Sequence, residues 1–162
     1  MSLQGSNVSS FSTIACCIDL TEQNDDIVNY TREMAELTGA KILLVHVLPP
    51  TGAFASYGAS KELLQKVAAE SRVETEKYVK DFAAKYFAGL PCEPLIMTGH
   101  IDKALNELVD KRCADLIIMG SLNTRGLFNF SGSTSRLIGR SRVPVMVIPN
   151  DLSLECEPDE NF

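Results

Sequence analysis

Ala114-Asp-Leu-Ile-Ile-Met-Gly-Ser121 sets four large apolar residues side by side, introduced by an aspartate and stopped by a glycine. The run is too short for a self-sufficient helix. It does not alternate with polar residues, so it reads as a strand, Asp115 to Met119, buried on both faces. Thr13-Ile-Ala-Cys-Cys-Ile18, ending at Asp19, and Lys41-Ile-Leu-Leu-Val-His-Val47, closed by Pro49-Pro50, share its pattern, as does Val143-Pro-Val-Met-Val-Ile148. Glu93 to Met97 is a weaker fifth run whose Pro94 cannot donate to a ladder, which places it at a sheet edge.

Helical segments fill the gaps. Thr21 can cap a helix from about Asn24 to Thr38, with Ile27, Met34 and Leu37 on one stripe and Gly39 at its stop. A longer one runs from about Lys61 to Ala88, with Leu64, Val67, Val73, Val79, Phe82 and Tyr86 among its apolar positions. Asp102 to Arg112 and about Thr134 to Ser141 are two more. Buried strands alternating with helices require right-handed crossovers and parallel neighbours. The expected architecture is a single doubly wound α/β domain over residues 13–150, with five parallel strands in the order 3-2-1-4-5 and helices on both faces. A Ser- and Gly-rich leader, residues 1–12, precedes it, and an acidic tail, residues 151–162, follows.

The 162 residues are 45% hydrophobic and 22% charged, a balance that supports a folded core rather than disorder. No apolar run approaches the roughly 20 residues that cross a bilayer. The net charge of −6 repels nucleic acid and anionic membranes. It is unevenly placed: Ser121 to Asn150 holds Arg125, Arg136, Arg140 and Arg142 and no Asp, Glu or Lys, a local +4 suited to a small anion. Five cysteines form no CxxC pair, and adjacent Cys16 and Cys17 must point to opposite faces of their strand, which suits core packing. Free thiols and the lack of a basic, then apolar start predict a cytoplasmic protein.

Ligands of open α/β sheets bind beyond the carboxyl ends of strands where the winding reverses. In the order 3-2-1-4-5 the loops after Ile18 and Met119 meet there, so Asp19 faces the segment Gly120 to Thr134. Three glycines, several hydroxyls, Arg125 and a following helix start make that segment a candidate phosphate cradle. The same composition also fits a plain surface loop with Ser and Gly as turn formers. Asp19 must find donors either from a ligand or from the backbone of the next turn. His46 reads as a hydrogen-bonded core histidine, and His100 as a solvent-side or capping residue. Neither histidine can be matched to a nucleophile, and no catalytic machinery is legible.

Asp19 after the first strand, the His-Val ending of the second, Thr98-Gly99-His100 before a helix, and above all Ala114 to Ser121 followed by Pro144-Val-Met-Val-Ile148 resemble a universal stress protein from about Ser12 to Pro149. The resemblance implies the doubly wound sheet, a homodimer through the last strand (Val145, Met146, Val147, Ile148), and membership of either an ATP-binding or a non-binding branch. The binding branch carries Gly-x-x-Gly, nine residues, then Gly-Ser or Gly-Thr. Here Gly120 matches the start, Asn123 stands at the second glycine position, and the loop to Ser131, Gly132 and Ser133 is one or two residues short. Asn tolerates the left-handed backbone that such a glycine takes.

By the same resemblance, Asp19 takes the adenine or ribose side and Ile18, Val47 and Met119 line the base pocket. Gly126, Gly132, Ser133 and Thr134 supply the phosphate nest, with Arg125 as a charge-assisted contact. The implied function is stress-response regulation by an adenine nucleotide, ATP with Mg, bound without rapid turnover. Two alternatives stand beside it: a non-binding member acting through dimerisation and protein partners, and a nucleotide-dependent hydrolase or transferase.

Overall fold

Five strands hydrogen-bond in the order β3-β2-β1-β4-β5, every pair parallel. The computed structural model describes residues 11–20, 24–50, 60–111, 113–121 and 132–149. Along the chain they form β1 (Thr13–Cys17), α1 (Asp25–Thr38), β2 (Lys41–Leu48), α2 (Lys61–Tyr86), β3 (Cys92–Thr98), α3 (Ile101–Asp110), β4 (Leu116–Gly120), α4 (Gly132–Arg140) and β5 (Val145–Ile148). The doubly wound sheet expected from the buried runs is thus the observed one, with the Pro94 strand at an edge. The leader up to residue 10 and the tail from residue 150 lie outside the described residues.

Strand periodicity divides the interior into two cores. Ile14, Cys16, Ile42, Leu44, Leu116 and Ile118 face α1 and α2. Ala15, Cys17, Leu43, Val45, Ile117 and Met119 face α3 and α4. Cys16 and Cys17 therefore do point to opposite sides, and both are buried. Loss of water pushes the Cys16 thiol up to about 12, with a Thr31 hydroxyl donating to Sγ at 3.4 Å, and pushes Cys17 higher still. Cys113 departs from the core role expected of the cysteines, since it is exposed.

The helices deviate where stripe arithmetic ignored their neighbours. In α1, Ile27, Val28, Thr31 and Ala35 are buried, whereas Leu37 is 76% exposed. The 26 residues of α2 outrun the strands beneath, so only Thr75, Val79, Phe82 and Ala83 are buried; Val67 and Val73, taken above as apolar-face residues, are exposed. At its end Phe87, Gly89 at φ +84° and Pro91 turn the chain into β3, and Pro91 O accepts from Ile42 N at 2.8 Å.

Asp115 fastens the amino ends of β1 and β4 together. Its Oδ2 accepts from the Ser12 hydroxyl at 2.6 Å, Ser12 N at 2.9 Å and Thr13 N at 3.0 Å, while Asp115 N donates to Thr13 O at 2.9 Å. The Ser12 hydroxyl holds the carboxyl below its ordinary value; burial opposes it, and the backbone donors of Ser12 and Thr13 add smaller lowering effects. A carboxyl depressed in the folded state stabilises the fold above its unfolded value of about 3.9 and loses that contribution as pH falls through the folded one. Asp115→Asn is accordingly expected to cost about 1 kcal/mol at pH 7, an amount suited to partly exposed charged hydrogen bonds. Urea midpoints should show the gap from wild type narrowing below about pH 4; a gap constant down to pH 3 excludes this role.

Candidate functional site

The register leaves a notch at the carboxyl edge of the sheet. Cys17, the last residue of the central strand β1, lies opposite Val45 and Met119, yet β2 continues through His46, Val47 and Leu48, and β4 through Gly120. The chain leaves the sheet in two steps. Ile18 N still donates to Val45 O at 3.0 Å, but Ile18 O is taken by the imidazole of His46, with Nδ1 3.1 Å away. A side chain thus completes the ladder where β1 diverges, and the space above its end is a cavity of about 440 Å³.

Five of the sequence-predicted residues, Ile18, Asp19, Val47, Met119 and Gly120, line this one cavity. Cys17, Leu20, Asn24, Ile27, Val45, His46, Leu48, Pro49, Thr75 and Ile101 line it as well, beyond the residues expected from the sequence. Most of the wall is aliphatic, with Asp19, Asn24, His46 and Thr75 as its polar side chains. That is the composition of a small-molecule site, an apolar slot with a few polar groups to fix orientation.

Asn24 holds the turn that presents Asp19. Its Nδ2 donates to Asp19 O at 2.7 Å, and its Oδ1 accepts from Asp19 N at 3.4 Å. It also stands at the N-cap of α1, three residues after Thr21, the cap expected from the sequence, which lies outside the described residues. The signal was present in the sequence, since Asn is as good an N-cap as Thr. His46 is hydrogen-bonded as expected, but it is half-buried at the cavity wall rather than deep in the core.

The candidate phosphate side is described in part. Helix α4 starts at Gly132, two residues before the expected Thr134, so Gly132, Ser133 and Thr134 form its first turn. In a parallel α/β sheet the helices run against the strands, which puts this N-terminus at the same carboxyl edge as the cavity. Asn123, Arg125, Gly126 and Ser131 lie outside the described residues. The basic window is also less anionophilic than its formal +4 suggests. Arg136 Nε lies 3.5 Å from Asp102 Oδ2, and Arg142 lies 3.6 Å from Asp110 Oδ1, so carboxylates of α3 offset two of the four arginines.

The titratable side chains lining the cavity are Cys17, Asp19 and His46. Burial keeps the Cys17 thiol protonated, which removes the thiolate that a nucleophile requires. His100 is the exposed N-cap of α3 without a side-chain capping bond, matching its expected solvent-side place. Among the described residues no group of three or more His, Cys, Asp or Glu is arranged to hold a metal ion, and no helix is long and apolar enough to cross a membrane.

Solved structures share this architecture. The universal stress protein UspA from Lactobacillus plantarum is 18% identical over 86% of this chain and 99% of its own, with a TM-score of 0.60. A universal stress protein from Archaeoglobus fulgidus, solved in complex with dAMP, is 19% identical over 86% of this chain and 98% of its own, TM-score 0.56. Another universal stress protein, solved in complex with cAMP, is 17% identical over 88% of this chain and 100% of its own, TM-score 0.57. At such identities the likeness is one of fold. No curated protein matches the sequence significantly. The family model of the universal stress proteins, however, matches residues 10–149. Covering nearly the whole α/β domain, it joins the Asp19 turn, the 114–121 block and the final strand in one pattern, and the chain belongs to the universal stress protein family.

Proposed function

We propose that the cavity beyond β1 binds an adenine nucleotide, ATP with magnesium, as a regulatory ligand in stress response. The observation that carries the reading is the convergence of Ile18, Asp19, Val47, Met119 and Gly120 on one largely aliphatic cavity of about 440 Å³. Such a slot fits a flat base. Asp19 at its rim suits sugar hydroxyls or a base amine, and the α4 N-terminus on the same edge suits phosphates. The dAMP and cAMP complexes of the structural relatives support the choice of adenine. The ligand would act by favouring the conformation that it binds, without rapid turnover.

Titrating the nucleotide-stripped protein calorimetrically with ATP and magnesium tests this, with chromatography of any nucleotide released on denaturation. Binding in the micromolar range is expected. No heat and no co-purified nucleotide would leave the second reading, a member of the non-binding branch working through protein partners, which the shortened 120–133 loop favours. In either case the exposed side of the edge strand β5, Val145 to Ile148, is our proposed homodimer seam, because a bare strand edge needs cover. Sedimentation as a monomer at micromolar concentration excludes that seam. The cytoplasm is the proposed compartment.

A further inference from the structure

His46 occupies the cavity wall with one ring nitrogen already committed. The Ile18 carbonyl 3.1 Å from Nδ1 can only accept, so Nδ1 carries the proton and donates. In the neutral ring this fixes the tautomer and leaves Nε2 as an acceptor. Nε2 has no hydrogen-bond partner among the described residues. The other polar side chains divide in the same way. The Asn24 amide serves the Asp19 backbone, and the Thr75 hydroxyl donates to Ser71 O at 2.7 Å. Asp19 is a carboxylate, which accepts only. What His46 offers a guest at Nε2 is therefore an acceptor, and a matching guest presents a donor there, such as an exocyclic amino group on its base.

Resting on the nucleotide reading above, we propose that His46 Nε2 is a specificity-determining acceptor that selects an amino-purine over the corresponding oxo-purine. An oxo group turned toward the same nitrogen would set two lone pairs against each other and leave both unpaired inside a largely apolar cavity. Sites built around a hydrogen bond discriminate against analogues lacking it more sharply than apolar pockets discriminate by size.

ATP and ITP are the probes: at position 6 ATP carries an amino donor and ITP an oxo acceptor, the proton of ITP lying instead on N1. Wild type is expected to bind ATP at least tenfold more tightly than ITP. In His46→Asn the shorter amide nitrogen takes over the Nδ1 position and still donates to Ile18 O, but nothing replaces Nε2. Its ligand-free melting temperature should match wild type, while its ATP-to-ITP ratio falls to about one. His46→Gln, whose side chain reaches as far as Nε2 and can present Oε1, should keep most of the preference and covers the case in which the Asn variant folds poorly. Equal binding of ATP and ITP by wild type, or an undiminished preference in a folded His46→Asn, overturns the role of His46 and leaves the nucleotide reading standing. Binding of neither nucleotide overturns the nucleotide reading itself, and the His46 inference with it.

Discussion

Asp19→Ala is expected to lower ATP affinity by about 100-fold, taking a micromolar complex close to the limit of calorimetric detection, while the protein melts within a degree or two of wild type. The size follows from the bond lost: a hydrogen bond to a charged acceptor contributes about 1.5–3 kcal/mol, and each 1.4 kcal/mol is a factor of ten. The small stability effect follows from position. Asp19 lies in the turn after β1, half-exposed at the cavity rim, and Asn24 fastens that turn through the Asp19 backbone N and O, bonds that the substitution leaves in place. Gly132→Val tests the other end of the ligand, since a branched side chain in the first turn of α4 crowds the backbone that phosphates would approach. Affinity unchanged in both variants would remove the carboxyl edge of the sheet as the nucleotide site, whatever the wild-type titration shows.

The strands were legible because burial on two faces leaves an uninterrupted apolar signature, as in Leu116 to Met119, that few other structures produce. Their order is less local, since neighbouring strands here are far apart in sequence, and it followed from the usual winding of doubly wound sheets. The base side of the site was legible for the same reason: Ile18, Asp19, Val47, Met119 and Gly120 are strand ends, and the winding order brings them together. The places of His46 and Thr75 in the cavity wall escaped, because the sequence marks His46 as a hydrogen-bonded core residue and Thr75 as one more helix position. One looks like any half-buried strand residue, and the other enters the cavity only because α2 passes beside it. Leu37, Val67 and Val73 misled because apolar spacing alone does not say where a helix outruns the sheet. The pairing of Arg136 with Asp102 and of Arg142 with Asp110 was hidden too, because charge summed along the chain omits what faces each group across a helix pair.

The reciprocal result is expected at the opposite edge of the sheet. Phe87, 1% exposed, caps the C-terminus of α2 beneath the amino ends of the strands, its ring 6.5 Å from that of Phe82. Phe87→Ala removes most of a fully buried aromatic where Phe82, Val79 and Ile42 cannot all close in, and such truncations cost about 3–5 kcal/mol. For a domain of this size that corresponds to a fall of roughly 6–20 °C in melting temperature, a large share of a stability of about 5–15 kcal/mol. Phe87→Leu, which keeps most of the volume, should recover the greater part. Yet Phe87 is not among the residues lining the cavity, and saturating ATP should raise the melting temperature of Phe87→Ala about as much as that of wild type, because stabilisation by a ligand depends only on its concentration and its affinity for the native state. Thermal scans with and without ATP on the Asp19 and Phe87 variants therefore separate the two edges. One variant should lose the ligand-induced rise and keep the baseline, and the other should lose the baseline and keep the rise. A Phe87→Ala protein that melts near wild type would mean that the α1–α2 core closes around the lost ring, and that the amino edge is packed less tightly than the burial of Phe87 indicates.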